Sequence, residues 1–154
     1  MTILIGLTLV CVLTDFSRPT FPESEAVRSD EQSIIEIEVT GEEFFWTFRY
    51  AGEDGALRTN DDIILPRELI VPLNRQVRLQ LKSLDYVYVF EISPLAVREI
   101  AVPDLMYSVE FFARKSMTSS LPMDPLCAFG LFQNDSMGTI RADDVAWREL
   151  VARR

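Results

Sequence analysis

The residues best suited to chemistry in this sequence are sulfur-bearing side chains near its C-terminal end. Cys127 and Met137 lie in the stretch 126–137, L-C-A-F-G-L-F-Q-N-D-S-M, and Met117 and Met123 shortly precede it. Thiolate and thioether sulfur are soft ligands that select Cu(I) over harder metal ions. This clustering therefore suggests a Cu(I) carrier. Methionines in a loop also fill gaps in packing, and that structural interpretation is the alternative.

The sequence contains no histidine. Imidazole is the usual nitrogen ligand of copper and zinc and the usual general base near neutral pH. Its absence excludes Ser-His and Cys-His catalysis. The sequence has no phosphate-binding loop or nucleophile elbow, and Asp85, Glu91 and Glu99 do not form a recognisable pair of catalytic carboxylates. We therefore expect no catalysis by the isolated chain.

Composition excludes some partners and leaves others open. The chain has 154 residues and a net charge of −9, with 48% hydrophobic residues. No basic surface is available to neutralise phosphates, so a nucleic-acid partner is excluded. An acidic surface suits a basic protein partner or simply solubility. The two cysteines, Cys11 and Cys127, do not form a disulfide framework and are expected to act as small buried hydrophobic residues.

The sequence divides into three segments. Residues 1–16 form an apolar N-terminal segment, whose uncharged run 2–14 is shorter than the roughly 20 residues of a membrane span. It fits a truncated membrane anchor, an export signal without basic residues before it, or an element packed on the domain. Residues 17–33, rich in proline, serine and charge, are predicted to be a linker. Residues 34–154 form the predicted folded domain.

Short runs of alternating or aromatic residues predict an all-β domain. The predicted strands are Ile34–Thr40, Phe44–Tyr50, Ile63–Leu65, Ile70–Val71, Gln76–Ser83, Tyr86–Ile92, Val97–Val102, Tyr107–Ala113 and Met137–Arg141. Val77, Leu79 and Leu81 are expected on an inner face. Residues 142–154 predict a terminal helix with Val145 and Leu150 on its apolar side, beside Trp147 or Val151. The whole pattern indicates a Greek-key β-sandwich with a short C-terminal helix.

Several motifs, taken in order, resemble the cytochrome c oxidase subunit II family. Residues 39–50, V-x-G-x-x-F-F-W-x-F-x-Y, resemble the family's V-x-G-H-Q-W-x-W-x-F-x-Y. Segments 71–85, 101–103 and 137–140 resemble its V-P…V-x-L…S-x-D, A-V-P and M-x-G-x-V motifs. The resemblance runs from about Ile34 to the C-terminus. It implies a cupredoxin-like sandwich, the fold of the family's domain that holds the dinuclear copper centre CuA.

The resemblance also implies where copper ligands would fall. The family carries C-x-x-x-C-x-x-x-H-x-x-M in a late loop and another histidine in an earlier D-V-x-H-x-F segment. The corresponding, degenerate positions in this chain are Tyr88, Leu126, Cys127, Gly130, Asn134 and Met137. Asn134 and Tyr88 stand in the two histidine positions, and Cys127 reaches a cysteine position only through a one-residue gap. We therefore expect no metal and no cofactor, with the Tyr88 ring filling the vacated space and contacting Asn134 or a loop carbonyl.

The function implied by the resemblance is a structural or docking subunit of a haem-copper respiratory complex. The domain would lie on the extracytoplasmic side, with the N-terminal segment at the membrane. The partner would be a membrane oxidase catalytic subunit or another respiratory-complex protein. Quinol oxidases contain a subunit II without this copper, so its loss is compatible with such a role. The predicted docking residues are Glu42, Glu43, Phe44, Phe45 and Trp46.

Other departures from the family pattern leave a second interpretation open. Phe44 replaces the family's first aromatic, a tryptophan. Ile100 replaces an aspartate that faces the catalytic subunit, and 104–105 replace a Gly-Arg pair. A different assembly, or a stand-alone cupredoxin-like module that binds a protein, would also explain these changes.

Overall fold

The computed structural model describes residues 34–123 and 136–153, which form ten β-strands, a short 3₁₀ turn and one α-helix. The strands are β1 (Ile35–Glu42), β2 (Phe45–Tyr50), β3 (Ile63–Pro66), β4 (Glu68–Val71), β5 (Gln76–Ser83), β6 (Tyr88–Ile92), β7 (Val97–Ala101), β8 (Tyr107–Phe112), β9 (Met117–Pro122) and β10 (Ser136–Ala142), and the helix is α1 (Asp144–Val151). The predicted all-β class with one C-terminal helix is confirmed. The predicted segments 1–16 and 17–33 lie outside the described residues.

The strands form two facing layers. One layer is a five-stranded sheet in the order β3-β2-β1-β5-β8, in which β1 runs parallel to β5. The other contains a three-stranded sheet, β4-β10-β9, and a two-stranded sheet, β6-β7. The parallel pairs β1–β5 and β4–β10 join strands that are distant in sequence, so the chain crosses between the layers. This is the Greek-key sandwich that the strand pattern predicts.

The core lies between the layers because strand side chains alternate between the two faces of a sheet. Along β2, Trp46, Phe48 and Tyr50 are buried and the residues between them are half-buried. Along β5, the predicted inner residues Val77, Leu79 and Leu81 are each 0% exposed. Large buried side chains of this kind contribute about 1.5–3 kcal/mol each. The strands β2 and β5 thus both contribute their inward side chains to the core.

Tyr50 joins the two layers through its hydroxyl group. The hydroxyl donates to the carbonyl of Ile70 on β4 at 3.1 Å and accepts from the amide N–H of the same residue at 2.7 Å. The Tyr50 side chain is 1% exposed, and burial raises its pKa. A buried phenol hydroxyl needs hydrogen-bond partners, and here the backbone N–H and carbonyl of Ile70 supply both.

Several details differ from the sequence-based prediction, among them the following three. Strand β9 was not predicted, because Met117–Pro122 is rich in small polar residues that are more typical of a loop. On α1, Val145 is 54% exposed, while Ala146, Trp147 and Leu150 are buried. The helix begins later than predicted, because the Asp143 side chain accepts the amide N–H groups of residues 145 and 146 and caps it.

No helix in the described part of the chain reaches the length and hydrophobicity that a membrane span requires.

Candidate functional site

Several strand ends meet at one end of the sandwich, which we call the hairpin end and define as residues 41–46 and 83–88. Gly41 near the end of β1 lies beside Ser83 at the end of β5 in the parallel pair. The amide N–H of Leu84 donates to the carbonyl of Gly41 at 3.0 Å. The β1–β2 turn and the β5–β6 loop are therefore held side by side. Pro103 also pairs with Ser83, which brings the segment before β8 to the same end.

The β1–β2 hairpin turns through Glu43 and Phe44, both in left-handed backbone conformations with φ of 48° and 62°. Such a two-residue turn normally uses asparagine and glycine, since other side chains cost about 1–2 kcal/mol in this conformation. Two contacts hold the turn: the Glu43 amide N–H donates to Asp85 Oδ2 at 2.7 Å, and the Phe44 amide N–H donates to the Tyr88 hydroxyl at 3.3 Å. The β5–β6 loop therefore stabilises a strained turn.

Asp85 organises these contacts. Its carboxylate also accepts the amide N–H of Tyr86 at 2.7 Å and interacts with the hydroxyl groups of Ser83 and Tyr88. Burial raises the pKa of the Asp85 carboxyl, but the hydrogen bonds from Glu43, Tyr88 and Tyr86 outweigh it and hold the pKa below its usual value. Burial, and then the neighbouring carboxylate, raise the pKa of the Tyr88 phenol. At neutral pH the pair is a phenol that donates to a carboxylate.

Aromatic rings connect the surface of the hairpin end with the core. Phe44 and Tyr86 stack at 5.4 Å between ring centroids, and they are 37% and 52% exposed. Tyr88 lies edge-on to both rings, at 6.1 and 6.4 Å. Beneath it, Trp46 lies edge-on to Tyr88 at 5.6 Å and to Phe90 at 5.3 Å. The exposed pair therefore rests on a buried aromatic base, which fixes its orientation.

Only two of the degenerate copper positions fall in the described residues. Tyr88 and Met137 are both buried, at 5% and 1% exposure. The other four positions, Leu126, Cys127, Gly130 and Asn134, lie outside the described residues. The hydrogen bond from Tyr88 to Asn134 or a loop carbonyl thus stays a prediction, and the polar contacts the structure gives the Tyr88 hydroxyl are to the Phe44 amide and the Asp85 carboxylate.

The five predicted docking residues lie in different environments. Glu42, Glu43 and Phe44 are exposed at the turn. Phe45 is half-buried, and the guanidinium carbon of Arg67 lies 5.0 Å from its ring centroid. Trp46 is completely buried because it occupies an inward position of β2, so its side chain offers no surface to a partner.

Sequence reasoning missed the partners of Phe44. The strand pattern places Tyr86, which stacks on Phe44, in a strand, and it gives Asp85 no role in the hairpin turn. An aspartate two residues after a serine is typical of a side-chain-stabilised turn, and this signal would have identified the loop. Further exposed hydrophobic side chains of the hairpin end and the adjoining segment are Leu84, Val87, Leu105 and Met106.

Comparison with known proteins identifies the fold. The structure is similar to the crystal structure of the periplasmic domain of subunit II of cytochrome oxidase (CoxB) of Bradyrhizobium japonicum, with a TM-score of 0.61 and 20% identity over 77% of this chain and 91% of that one. It is also similar to a mixed disulfide complex of thioredoxin-like TlpA and subunit II of cytochrome c oxidase, with a TM-score of 0.57 and 20% identity over 77% and 89%.

A third similar structure is a haem-copper terminal oxidase dimer, with a TM-score of 0.50 and 16% identity over 73% of this chain and 67% of that one. No family model and no curated protein sequence matches the chain. At these identities the comparison shows the fold, which is the cupredoxin-like fold of the subunit II periplasmic domain. The fold expected from the sequence motifs is confirmed.

Proposed function

We propose that this chain is a subunit II-like domain that lacks the dinuclear copper centre and acts as a structural or docking subunit of a haem-copper respiratory complex. The observation that carries the proposal is the combination of the subunit II fold with a buried tyrosine in place of a ligand. The domain would lie on the extracytoplasmic side of a membrane and contact the catalytic subunit of an oxidase.

The residues present do not fit a dinuclear copper centre. Such a centre needs two bridging thiolates and imidazole ligands, and the whole sequence has two cysteines, of which only Cys127 is in the segment 126–137, and no histidine. A tyrosine phenol is protonated at neutral pH, and burial and the Asp85 carboxylate raise the pKa of Tyr88 further, away from the range in which a phenolate could act as a ligand. Within residues 34–123 and 136–153, no three His, Cys, Asp or Glu side chains are grouped to hold a metal ion.

The surface available for docking is the exposed aromatic pair with its acidic rim. Phe44 and Tyr86 are rigid side chains that are held by the turn and by the buried rings below them. Glu42 and Glu43 lie beside them, and the chain as a whole carries a net charge of −9. Aromatic anchors surrounded by charged residues are typical of protein interfaces. We infer a partner surface with an apolar centre and a basic rim.

The Cu(I)-carrier alternative depends on the methionines. Met123 and Met137 are 8% and 1% exposed and belong to the hydrophobic core, whereas Met117 is half-buried. Buried thioethers that pack in a core are not free to bind a metal ion, so the packing role is favoured. Adding Cu(I) to the purified chain under reducing conditions discriminates the two. The proposed function expects no stoichiometric copper after desalting, and tightly bound copper in equal amount would favour the carrier.

Site-specific photo-crosslinking tests the docking role. A benzophenone amino acid at position 44, introduced into the full chain in its native membranes, is expected to crosslink to the catalytic subunit of a haem-copper oxidase, identified by mass spectrometry. The matched control is position 64, where Ile64 is 48% exposed on the edge strand β3. Equal crosslinking from both positions, or adducts only with proteins unrelated to respiration, would contradict the proposal. The second outcome would favour the stand-alone binding module.

A further inference from the structure

The connection between β2 and β3 covers part of the outer face of the five-stranded sheet, and we call residues 51–62 the strap. The sequence pattern places both Glu36 and Glu38 on the polar face of β1, and Glu36 is exposed as expected. Glu38, by contrast, is 2% exposed, although it points away from the core. Arg58 of the strap contacts it directly. A buried carboxylate on the outer face of a sheet requires charged partners, and the strap supplies one of them.

Two ionic contacts hold the strap against the sheet. Glu38 accepts a hydrogen bond from Arg58 Nε at 2.7 Å and pairs with Lys82 Nζ at 3.1 Å and Arg49 Nε at 3.5 Å. Arg49 also donates to Asp62 Oδ2 at 2.9 Å, and the Asp62 side chain is 1% exposed. Two buried carboxylates and three cations thus form one connected cluster, to which β1, β2, β5 and the strap all contribute.

The strap is ordered by its own hydrogen bonds. The Thr59 hydroxyl donates to Asp61 Oδ1 at 2.6 Å, and the Ala56 amide N–H donates to Asp54 Oδ1 at 2.8 Å. The Arg58 amide N–H donates to Asp62 Oδ2 at 2.7 Å, which holds Arg58 at a left-handed φ of 70°. An internally bonded segment of this kind moves as a unit. Strap residues 55–58 also form one wall of a cleft of about 680 Å³.

We propose that the strap is an acid-released element: protonation of Glu38 frees Arg58, and the strap lifts from the sheet while the sandwich stays folded. The groups that face Glu38 are Arg49 from β2, Lys82 from β5 and Arg58 from the strap, with Asp62 joined through Arg49. When Glu38 is uncharged, Arg49, Arg58 and Lys82 still lie close together, and the Asp62 carboxylate is the one remaining member of the cluster that can pair with them. Loss of the Glu38 charge removes the attraction that holds Arg58 and Lys82, which are 55% and 29% exposed, and of the two ionic contacts between strap and sheet only Arg49–Asp62 then remains.

The direction of the pH response follows from the pKa of Glu38 when the strap lies on the sheet. Burial raises the pKa of Glu38, but the hydrogen bonds from Arg58 and Lys82 outweigh it and hold the pKa below its usual value. The contact between Arg58 and the Glu38 carboxylate, which we call the latch, is therefore complete at neutral pH and is lost as the pH falls through this lowered value. Release exposes Arg49 and Lys82 on the outer face of the sheet of an otherwise acidic protein and removes one wall of the cleft.

Hydrogen exchange on the full chain tests the proposal. The readout is the protection factor of the Arg58 and Thr59 amides, both bonded to Asp62, relative to amides of β5, an interior strand of the sheet. The expected result for Glu38→Gln at neutral pH is at least a tenfold loss of protection in the strap with β5 unchanged. The matched control is Glu36→Gln, an exposed carboxylate on the same strand that pairs with Arg78 and should leave the strap protected.

A second variant and the wild-type chain keep the test decisive if Glu38→Gln does not fold. Arg58 is 55% exposed at its side chain, so Arg58→Gln removes the strap's half of the latch without opening the core. It should reproduce the loss of strap protection. In the wild type, protection of the strap should be lost at a higher pH than protection of β5. Strap protection that survives both substitutions, or strap and β5 amides that lose protection together, would overturn the proposal.

Discussion

Tyr88 and Trp46 pack edge-on against each other, with their ring centroids 5.6 Å apart, and both rings lie directly over Gly41. A β-carbon on Gly41 would lie 2.7 Å from Tyr88 Cδ2 and 2.8 Å from Trp46 Cζ3. The absence of a side chain at this position is what lets the two rings close over the strand. The aromatic base under the proposed docking surface thus depends on one glycine.

Replacement of Gly41 tests this packing. Gly41→Ala is expected to lower the free energy of unfolding by about 1–3 kcal/mol, because the rings must shift in a well-packed core. Gly55→Ala is the control: its β-carbon would meet no atom within 4 Å, and only its left-handed φ of 70° opposes the change. Urea denaturation followed by tryptophan fluorescence measures both. A Gly41→Ala protein as stable as the wild type would show that the rings are not closely packed.

Relieving the strain of the hairpin turn should make the protein more stable and should weaken its binding to the partner. Replacing Glu43 and Phe44 together by Asn and Gly, the preferred residues of such a turn, should raise the free energy of unfolding by about 1–2 kcal/mol. The same change removes an exposed aromatic ring and a rim carboxylate from the proposed docking surface, so binding to the partner should weaken at least tenfold. Urea denaturation measures the stability, and the amount of partner that co-purifies with the tagged chain measures the binding. A double variant that is less stable than the wild type would contradict the assignment of strain to this turn.

Asp85 should contribute to the pH dependence of stability. Its pKa is lowered in the folded state, so its contribution is present above the ordinary aspartate value and is lost as the pH falls through the folded value. Between about pH 5 and pH 3, the wild type should therefore lose more stability than Asp85→Asn. Thermal denaturation across this range measures the difference. Parallel pH profiles for the two proteins would show that the Asp85 carboxylate has no net role in the turn.

Much of the fold is predictable from the sequence because residues that alternate between apolar and polar fit a half-buried strand and few other structures. Alternation in β5 and the aromatic run in β2 identify which side chains face the core. Strand β9 and the exposure of Val145 are not predictable in this way, because tertiary packing overrides local composition. Glu38 is the clearest case, since its burial depends on a strap that is separated from it in sequence.

The candidate site is predictable only in outline. The motifs locate Phe44 and Tyr88, but the stacking of Tyr86 on Phe44 depends on how the β5–β6 loop meets the hairpin. Trp46 is buried because alternate residues of β2 face the core. The aromatic run alone does not show which of the two alternating sets of residues faces inward. Long-range loop contacts of this kind have no local signal in a single sequence.

The central claim, that this domain docks to the catalytic subunit of a haem-copper oxidase, is tested most directly by co-purification of the tagged full chain from solubilised native membranes. The account predicts a haem-bearing catalytic subunit in equal amount with the chain. It also predicts that the subunit is lost when Phe44 and Tyr86 are both changed to Ala and is retained with Ile64→Ala. A chain that purifies from those membranes without any haem-bearing subunit would contradict the account.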